Sequence, residues 1–275
     1  MIGMRLPAKI AVYFLVTLSV LIVALPLLWM IAAALKTQNE IIDPNASLLP
    51  LHPQWSNIPD AWNTAPFGTF FLNTAIFSIV TTVGQIAVGM LAGYAFAMFD
   101  FPGRRVAFYV VVSGLMIPFT VVIVPVVQML ADFGWIDTWQ GLLVPNIASS
   151  LGAFLFRQFF LSAPLELGEA ARIDGASELR IFWSVYRPLA QPMTAAFTVI
   201  AFLQNWNNFL FPLVVTSSEH LMMISQGLTE FQGQITGVAY NLLMAGSLIA
   251  VIPVLIVAMV AQRKVVEGLT IGAVR

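Results

Sequence analysis

Gln204-Asn205-Trp206-Asn207-Asn208 places four side-chain amides within five positions of an otherwise apolar stretch. An amide donates and accepts, so such a cluster can hold hydroxyl groups without binding them too tightly to release. It can equally hydrogen-bond one helix to another; in hydrocarbon it is costly unless it faces protein or water. A second polar constellation, Glu169-Ala170-Ala171 followed by Asp174-Gly175-Ala176, lies in the segment 161–187. Pro164 suits the first turn of a helix there, and Glu166 and Glu169 favour its positive end. Ala170 and Ala171 are strong helix formers of little bulk. Gly175 permits a sharp change of direction, and Asp174 is placed to cap the helix that follows. That second helix carries Leu179, Phe182 and Trp183 on one stripe and leads into Pro188.

Covalent and metal chemistry find no residues. The chain has no cysteine, and its two histidines, His52 and His220, fall in separate polar segments outside any ligand spacing. No HExxH, no Ser/His/Asp set and no Gly-x-x-x-x-Gly-Lys-Ser/Thr phosphate cradle occurs, so no catalytic residue, metal or cofactor is expected. A net charge of −1 offers nothing to nucleic acid.

The elements that position these residues are membrane helices. Charged residues are 9% of the chain and hydrophobic ones 59%, with a mean hydropathy of +0.89; a soluble chain carries roughly a quarter charged residues. About 20 apolar residues cross the hydrocarbon core as a helix. Gaps between charges place six such spans near 10–35, 69–97, 106–131, 142–160, 189–213 and 241–262. Helices rather than a barrel follow from the long unbroken runs. The proline-rich segment 36–66, with Trp55 and Trp62, reads as an ordered external loop.

Six spans put both ends of the chain on one side. Of the 12 basic residues, only Lys36 falls opposite. Arg5, Lys9, Arg104, Arg105, Arg157, Arg172, Arg180, Arg187, Arg263, Lys264 and Arg275 share one side, so both termini and the segment 161–187 are expected in the cytoplasm. The first span is read as a retained signal anchor. Three parts follow: 1–68 with the first span and external loop, a core over 69–262, and a cytoplasmic tail over 263–275. Pro26, Pro118, Pro125, Pro145 and Pro253 fall inside spans, and Gly89-x-x-x-Gly93 allows close approach of another helix. No Asp, Glu, Lys or Arg lies mid-span and no internal repeat occurs. A secondary carrier or channel acting alone is therefore disfavoured.

Glu169-Ala170-Ala171-x-x-Asp174-Gly175-Ala176-Ser177, followed by Pro188-Leu189-x-x-Pro192, resembles the EAA loop of permease subunits in binding-protein-dependent ABC importers. Phe154-x-x-Arg157-Gln158-Phe159-Phe160, Trp206-Asn207-x-Phe209-x-x-Pro212-Leu213 and the tail Gly268-Leu269-Thr270-x-Gly272-Ala273-Val274 resemble the carbohydrate-uptake branch, specifically the smaller permease of maltose- and glycerol-phosphate-type systems. The resemblance implies an all-α type I importer fold in the bacterial cytoplasmic membrane. It assigns Glu169, Ala170, Ala171, Asp174, Gly175 and Ala176 to coupling with an ATPase, and leaves Gln204, Asn205, Asn207 and Asn208 as candidates for the solute path. Implied partners are a second, different permease, two ATPase subunits that bind the ATP, an extracytoplasmic solute-binding protein and membrane lipid. Gly168 stands where a polar or acidic residue is usual, and Arg187 where an apolar one often precedes the proline.

Overall fold

The computed structural model describes residues 6–233 and 237–271, with side chains over 9–233 and 237–260. The chain begins with α1 (Leu6–Ala34), α2 (Gln38–Ile42), α3 (Asn57–Thr64) and α4 (Phe67–Met98). Next come α5 (Arg104–Ser113), α6 (Phe119–Asp132), α7 (Trp139–Leu143) and α8 (Ser150–Ser162). The polar segment supplies α9 (Leu165–Ile173) and α10 (Glu178–Ile181), then a π turn (Phe182–Tyr186) and α11 (Arg187–Leu189). After it run α12 (Gln191–Trp206), α13 (Leu210–Val215), α14 (Ile224–Gly227) and α15 (Tyr240–Ile271). The one departure from an all-α chain among the described residues is a two-residue antiparallel pair, β1 (Gln232–Gly233) with β2 (Gly237–Val238).

Among the described residues three helices are long and apolar enough to cross a membrane singly: Lys9–Ala34 of α1, all of α4, and Tyr240–Val260 of α15. At about 1.5 Å per residue each exceeds a hydrocarbon core of roughly 30 Å. The runs at 106–131, 142–160 and 189–213, expected as single spans, are each divided. α5 ends at Ser113, and Pro118, which has no N–H and sits at ψ 132°, stands as the N-cap of α6, so the two helices are separate. Pro145 sits in a 3₁₀ turn (Val144–Asn146) between α7 and α8. Asn207 and Asn208 interrupt the helix between α12 and α13. Pro26, Pro125 and Pro253 are instead accommodated inside helices.

The chain forms two compact units, Met1–Gly68 with Gly227–Ile252 and Thr69–Gln226 with Pro253–Arg275. In the first, the segment 36–66 is ordered around Lys36, whose side chain is only 1% exposed. Its Nζ donates to the Ser47 carbonyl and lies 5.0 Å from the Trp29 ring centre. Asn57 donates to the carbonyls of Ala34 and Lys36 at 2.9 and 2.8 Å, and accepts from Asn241 at 3.1 Å. The segment is thus tied to α1 and α15 by hydrogen bonds, and its two short helices fill what the prolines alone read as loop.

In the second unit, an aromatic core built on Tyr94, Phe156, Phe160, Phe182, Tyr186 and Phe197 joins α4, α8, the π turn and α12. Close approach of α4 to α8 makes that core possible. A Cβ at Gly93 would stand 2.6 Å from Phe156 Cβ, and one at Gly89 would stand 3.0 Å from the Gly152 carbonyl carbon. The glycine pair therefore marks a real helix crossing, with Gly152 as its counterpart. The last helix continues through 263–271; residues 272–275, and with them Gly272, Ala273 and Val274 of the tail motif, lie outside the described residues.

Candidate functional site

The segment 161–187 folds as a helix, a reversal and a second helix. Pro164 stands at the N-cap of α9 with Glu166 in the first turn. The reversal is closed by two hydrogen bonds: Gly175 N–H donates to the Arg172 carbonyl at 3.0 Å, and Ala176 N–H to the Ala171 carbonyl at 3.0 Å. This is a Schellman motif, which needs a left-handed residue after the helix. Gly175 supplies it at φ +79°, with no atom within 4 Å of where a Cβ would be. The cap of α10 is Ser177, whose Oγ accepts from Arg180 N–H at 3.4 Å, and not Asp174, which ends α9 instead. Ala171 and Ala176 turn inward onto the aromatic core, while Glu169, Ala170, Asp174 and Gly175 stay exposed.

Three features of this joint were not anticipated. Arg172 and Glu178 face each other across the reversal in a bidentate pair, Nε to Oε1 at 2.6 Å and Nη2 to Oε2 at 3.1 Å. An exposed pair adds little stability, but the fork fixes an angle between α9 and α10. The hydrogen bond from Arg172 holds the Glu178 carboxyl below its usual range. A depressed carboxyl stabilises above its unfolded value and loses that contribution only as pH falls through the lowered one, so the pair is intact at neutral pH. Opposite charges flanking Asp174-Gly175 were the available signal.

The second feature explains Gly168. Tyr186, 1% exposed, packs so closely that a Cβ at 168 would lie 2.5 Å from its hydroxyl oxygen and 3.1 Å from its ring. The residue usual in the resembling loops has no room, and the departure itself was the signal. Burial pushes the Tyr186 phenol up. Third, Arg187 N–H bonds the Phe182 carbonyl five residues back, just before Pro188, which has no N–H. Phe182 is buried, whereas Leu179 and Trp183, one helical turn apart, stay exposed rather than sharing one stripe with it. The guanidinium of Arg187 lies 5.2 Å from the Trp183 ring centre.

The amide cluster divides. Asn205 is buried and its Nδ2 donates to Thr82 Oγ1 at 3.1 Å and Gln85 Oε1 at 3.3 Å, while Gln85 Nε2 donates to the Asn146 carbonyl at 2.8 Å. Asn208 accepts from Phe211 N–H at 3.4 Å at the start of α13. Gln204 and Asn207 are exposed, and Asn207 Nδ2 donates back to the Leu203 carbonyl at 2.8 Å. Asn205→Leu should leave buried partners on α4 unsatisfied at a cost of about 1–3 kcal/mol. The expected result is a lower unfolding midpoint with the solute preference of uptake unchanged. Gln204→Ala should show the reverse, an altered uptake KM at an unchanged midpoint.

Among the described residues no group of His, Asp or Glu is placed to hold a metal ion. The family described as "Binding-protein-dependent transport system inner membrane component" matches residues 85–270. The sn-glycerol-3-phosphate transport system permease protein UgpE of Pectobacterium atrosepticum is 36% identical, with 98% of each chain covered. The diacetylchitobiose uptake system permease protein NgcG of Streptomyces coelicolor is 35% identical, covering 92% of this chain and 85% of the relative. In fold, the chain is similar to one in the crystal structure of a bacterial ABC transporter involved in the import of the acidic polysaccharide alginate. There the TM-score is 0.83 at 22% identity, with 93% of this chain and 95% of the other covered. A chain of the MetNI methionine ABC transporter in an inward-facing conformation matches at TM-score 0.55, with 17% identity and coverage of 78% and 96%.

Proposed function

We propose a function on one premise: the chain belongs to the family of binding-protein-dependent transport system inner membrane components. It is a permease subunit of an ATP-binding-cassette importer and moves a sugar or related polyhydroxylated solute across the cytoplasmic membrane. ATP is bound and hydrolysed by partner ATPase subunits. The relatives named for glycerol 3-phosphate and diacetylchitobiose support the solute class, and exposed amides at Gln204 and Asn207 suit hydroxyl groups. A second, different permease completes the passage, and a solute-binding protein delivers to it from the other side.

The observation that carries the ATPase interface is an apolar surface on a rigid joint. Ile173 is 87% and Leu179 65% exposed, on either side of the Gly175 reversal, in a segment rich in charge. Bare apolar side chains rimmed by polar ones mark a protein contact. Small Ala170 beside them admits close approach to a cleft. Because α10, the π turn and α11 follow one another directly into α12, a push on α9 is delivered to the helix that carries the amides.

The test uses Ile173→Cys and Asn45→Cys with an impermeant thiol reagent. Position 173 should label in inside-out vesicles stripped of the ATPase, become protected when the ATPase is restored, and remain unlabelled in right-side-out vesicles. Position 45 should label only in right-side-out vesicles. Labelling of 173 from outside would overturn the orientation, and labelling undiminished by the ATPase would overturn the interface.

A further inference from the structure

We infer that Arg105 and Arg157 form a binding site for the headgroup of an anionic phospholipid, at the membrane boundary where α4 ends. A cavity of about 200 Å³ there is lined by Arg104, Arg105, Phe108, Tyr109 and Arg157. It opens beside a wider depression of about 490 Å³ formed by the connection Asp100 to Val106. The wider depression is formed by the connection that follows Met98, the last residue of the apolar run of α4, and the smaller cavity adjoins it, so the site is at the level of headgroups rather than of acyl chains. The inference requires only that α4 crosses a membrane and does not depend on the solute or on the ATPase interface.

The charges are unequal in their commitments. Arg104 is neutralised by Asp100 at 2.8 Å and also donates to the Phe99 carbonyl at 2.8 Å. Arg105 and Arg157 have no carboxylate within 4.0 Å among the described residues. Arg157 is nevertheless held in place. Its Nε donates to the Phe96 carbonyl at 3.3 Å, and its guanidinium lies over the Phe108 ring, 4.0 Å from the centre. A half-buried arginine fixed through Nε and one ring face keeps its two terminal nitrogens for a planar, bidentate partner, which a phosphodiester supplies. Basic pockets between spans at a membrane face are suited to phosphate headgroups.

The surroundings favour a lipid over a soluble anion. Arg105 and Tyr109 lie one turn apart on the same face of α5. From there Val106, Tyr109 and Val110, 67%, 68% and 66% exposed, extend an apolar track along the helix away from the charges. Basic head site and bare apolar track are continuous. A phosphatidylglycerol matches both, with its phosphate between the arginines and a chain along the track.

The experiment is titration of the assembled, delipidated transporter in detergent, with bound lipid read by native mass spectrometry. Phosphatidylglycerol should be retained over phosphatidylcholine by about twenty-five-fold if each of two arginines contributes about fivefold. Arg105→Gln should remove about fivefold of that preference, and Arg105→Gln with Arg157→Gln should abolish it. Arg105→Lys should keep most of it. Inorganic phosphate at equal concentration should not displace the lipid. Equal retention of the two lipids, a preference that survives both substitutions, or displacement by inorganic phosphate would each overturn the site. Should the double variant fail to assemble, the exposed Arg105→Gln alone still decides, since an unchanged preference there contradicts the inference.

Discussion

Gly93→Leu should leave almost no folded permease. At the crossing of α4 and α8 a Cβ on residue 93 would lie 2.6 Å from Phe156 Cβ and 2.7 Å from Arg157 N. The nitrogen is main chain and cannot turn aside as a side-chain tip can, so the helices must separate. Separation undoes more than one contact. Phe156 stacks with Phe160 at 6.4 Å and meets Phe197 edge-on at 5.6 Å, and a Cβ on Gly152 would already lie 2.9 Å from Phe197. Within a membrane, close packing replaces the hydrophobic drive that holds soluble helices together. Overpacking of about 1–3 kcal/mol or more at such a site is a large share of a total near 5–15 kcal/mol. The check is the monodisperse yield of detergent-extracted protein. It should fall at least about tenfold for leucine, whose whole side chain must be accommodated, and less for Gly93→Ala. Gly84→Ala is the milder comparison, because the atoms it would meet belong to the side chain of Ile147. Equal yields for Gly93→Leu and the unaltered chain would show that α4 and α8 do not cross there.

Much of this arrangement was legible in residue type and spacing. Gaps between charges found α1, α4 and α15, because each contains an apolar run long enough to cross a membrane by itself. The same gaps joined α5 to α6, α7 to α8 and α12 to α13, since hydropathy does not register where Pro118 or Pro145 breaks the backbone hydrogen bonding. Gly175 was readable as a reversal because its neighbours are good helix formers that must stop somewhere. Its cap was assigned to Asp174 when Ser177 makes the bond, a choice between two short polar residues that turns on backbone angles. The stripe of Leu179, Phe182 and Trp183 merged two faces of one helix: Leu179 and Trp183, four residues apart, stay outside, and Phe182, about 100° round the helix from Trp183, meets the core. Asn205 could not be told from Gln204 by type. Only the position of Thr82 and Gln85, more than a hundred residues away, separates the amide spent on α4 from its exposed neighbour.

Gly175→Val should uncouple the permease from its ATPase while leaving it inserted. The position is at φ +79° in open space, so the effect of a side chain there is one of backbone conformation, not collision. A left-handed residue with a β-carbon costs about 1–2 kcal/mol, and a β-branched one is at the upper end or beyond. The Schellman bonds from Gly175 and Ala176 then compete with that strain, and the direction of α9 relative to α10 is left to the exposed Arg172–Glu178 pair alone, which is too weak to hold it. The aromatic core beneath, including Phe160 and Tyr186, does not touch the substituted position, so insertion and extraction are expected to be normal. Asparagine tolerates the left-handed region, which makes Gly175→Asn the comparison that separates conformation from bulk.

The measurement is solute-stimulated ATP hydrolysis by the assembled importer in proteoliposomes containing its solute-binding protein, together with the amount of ATPase that co-purifies. Gly175→Asn should be stimulated nearly as the unaltered chain is. Gly175→Val should lose about tenfold of the stimulated rate, as a joint destabilised by about 1.4 kcal/mol requires. Full stimulation and full ATPase recovery with valine at 175 would contradict the account, and the segment 161–187 would then be a connection between helices and not the part that moves them.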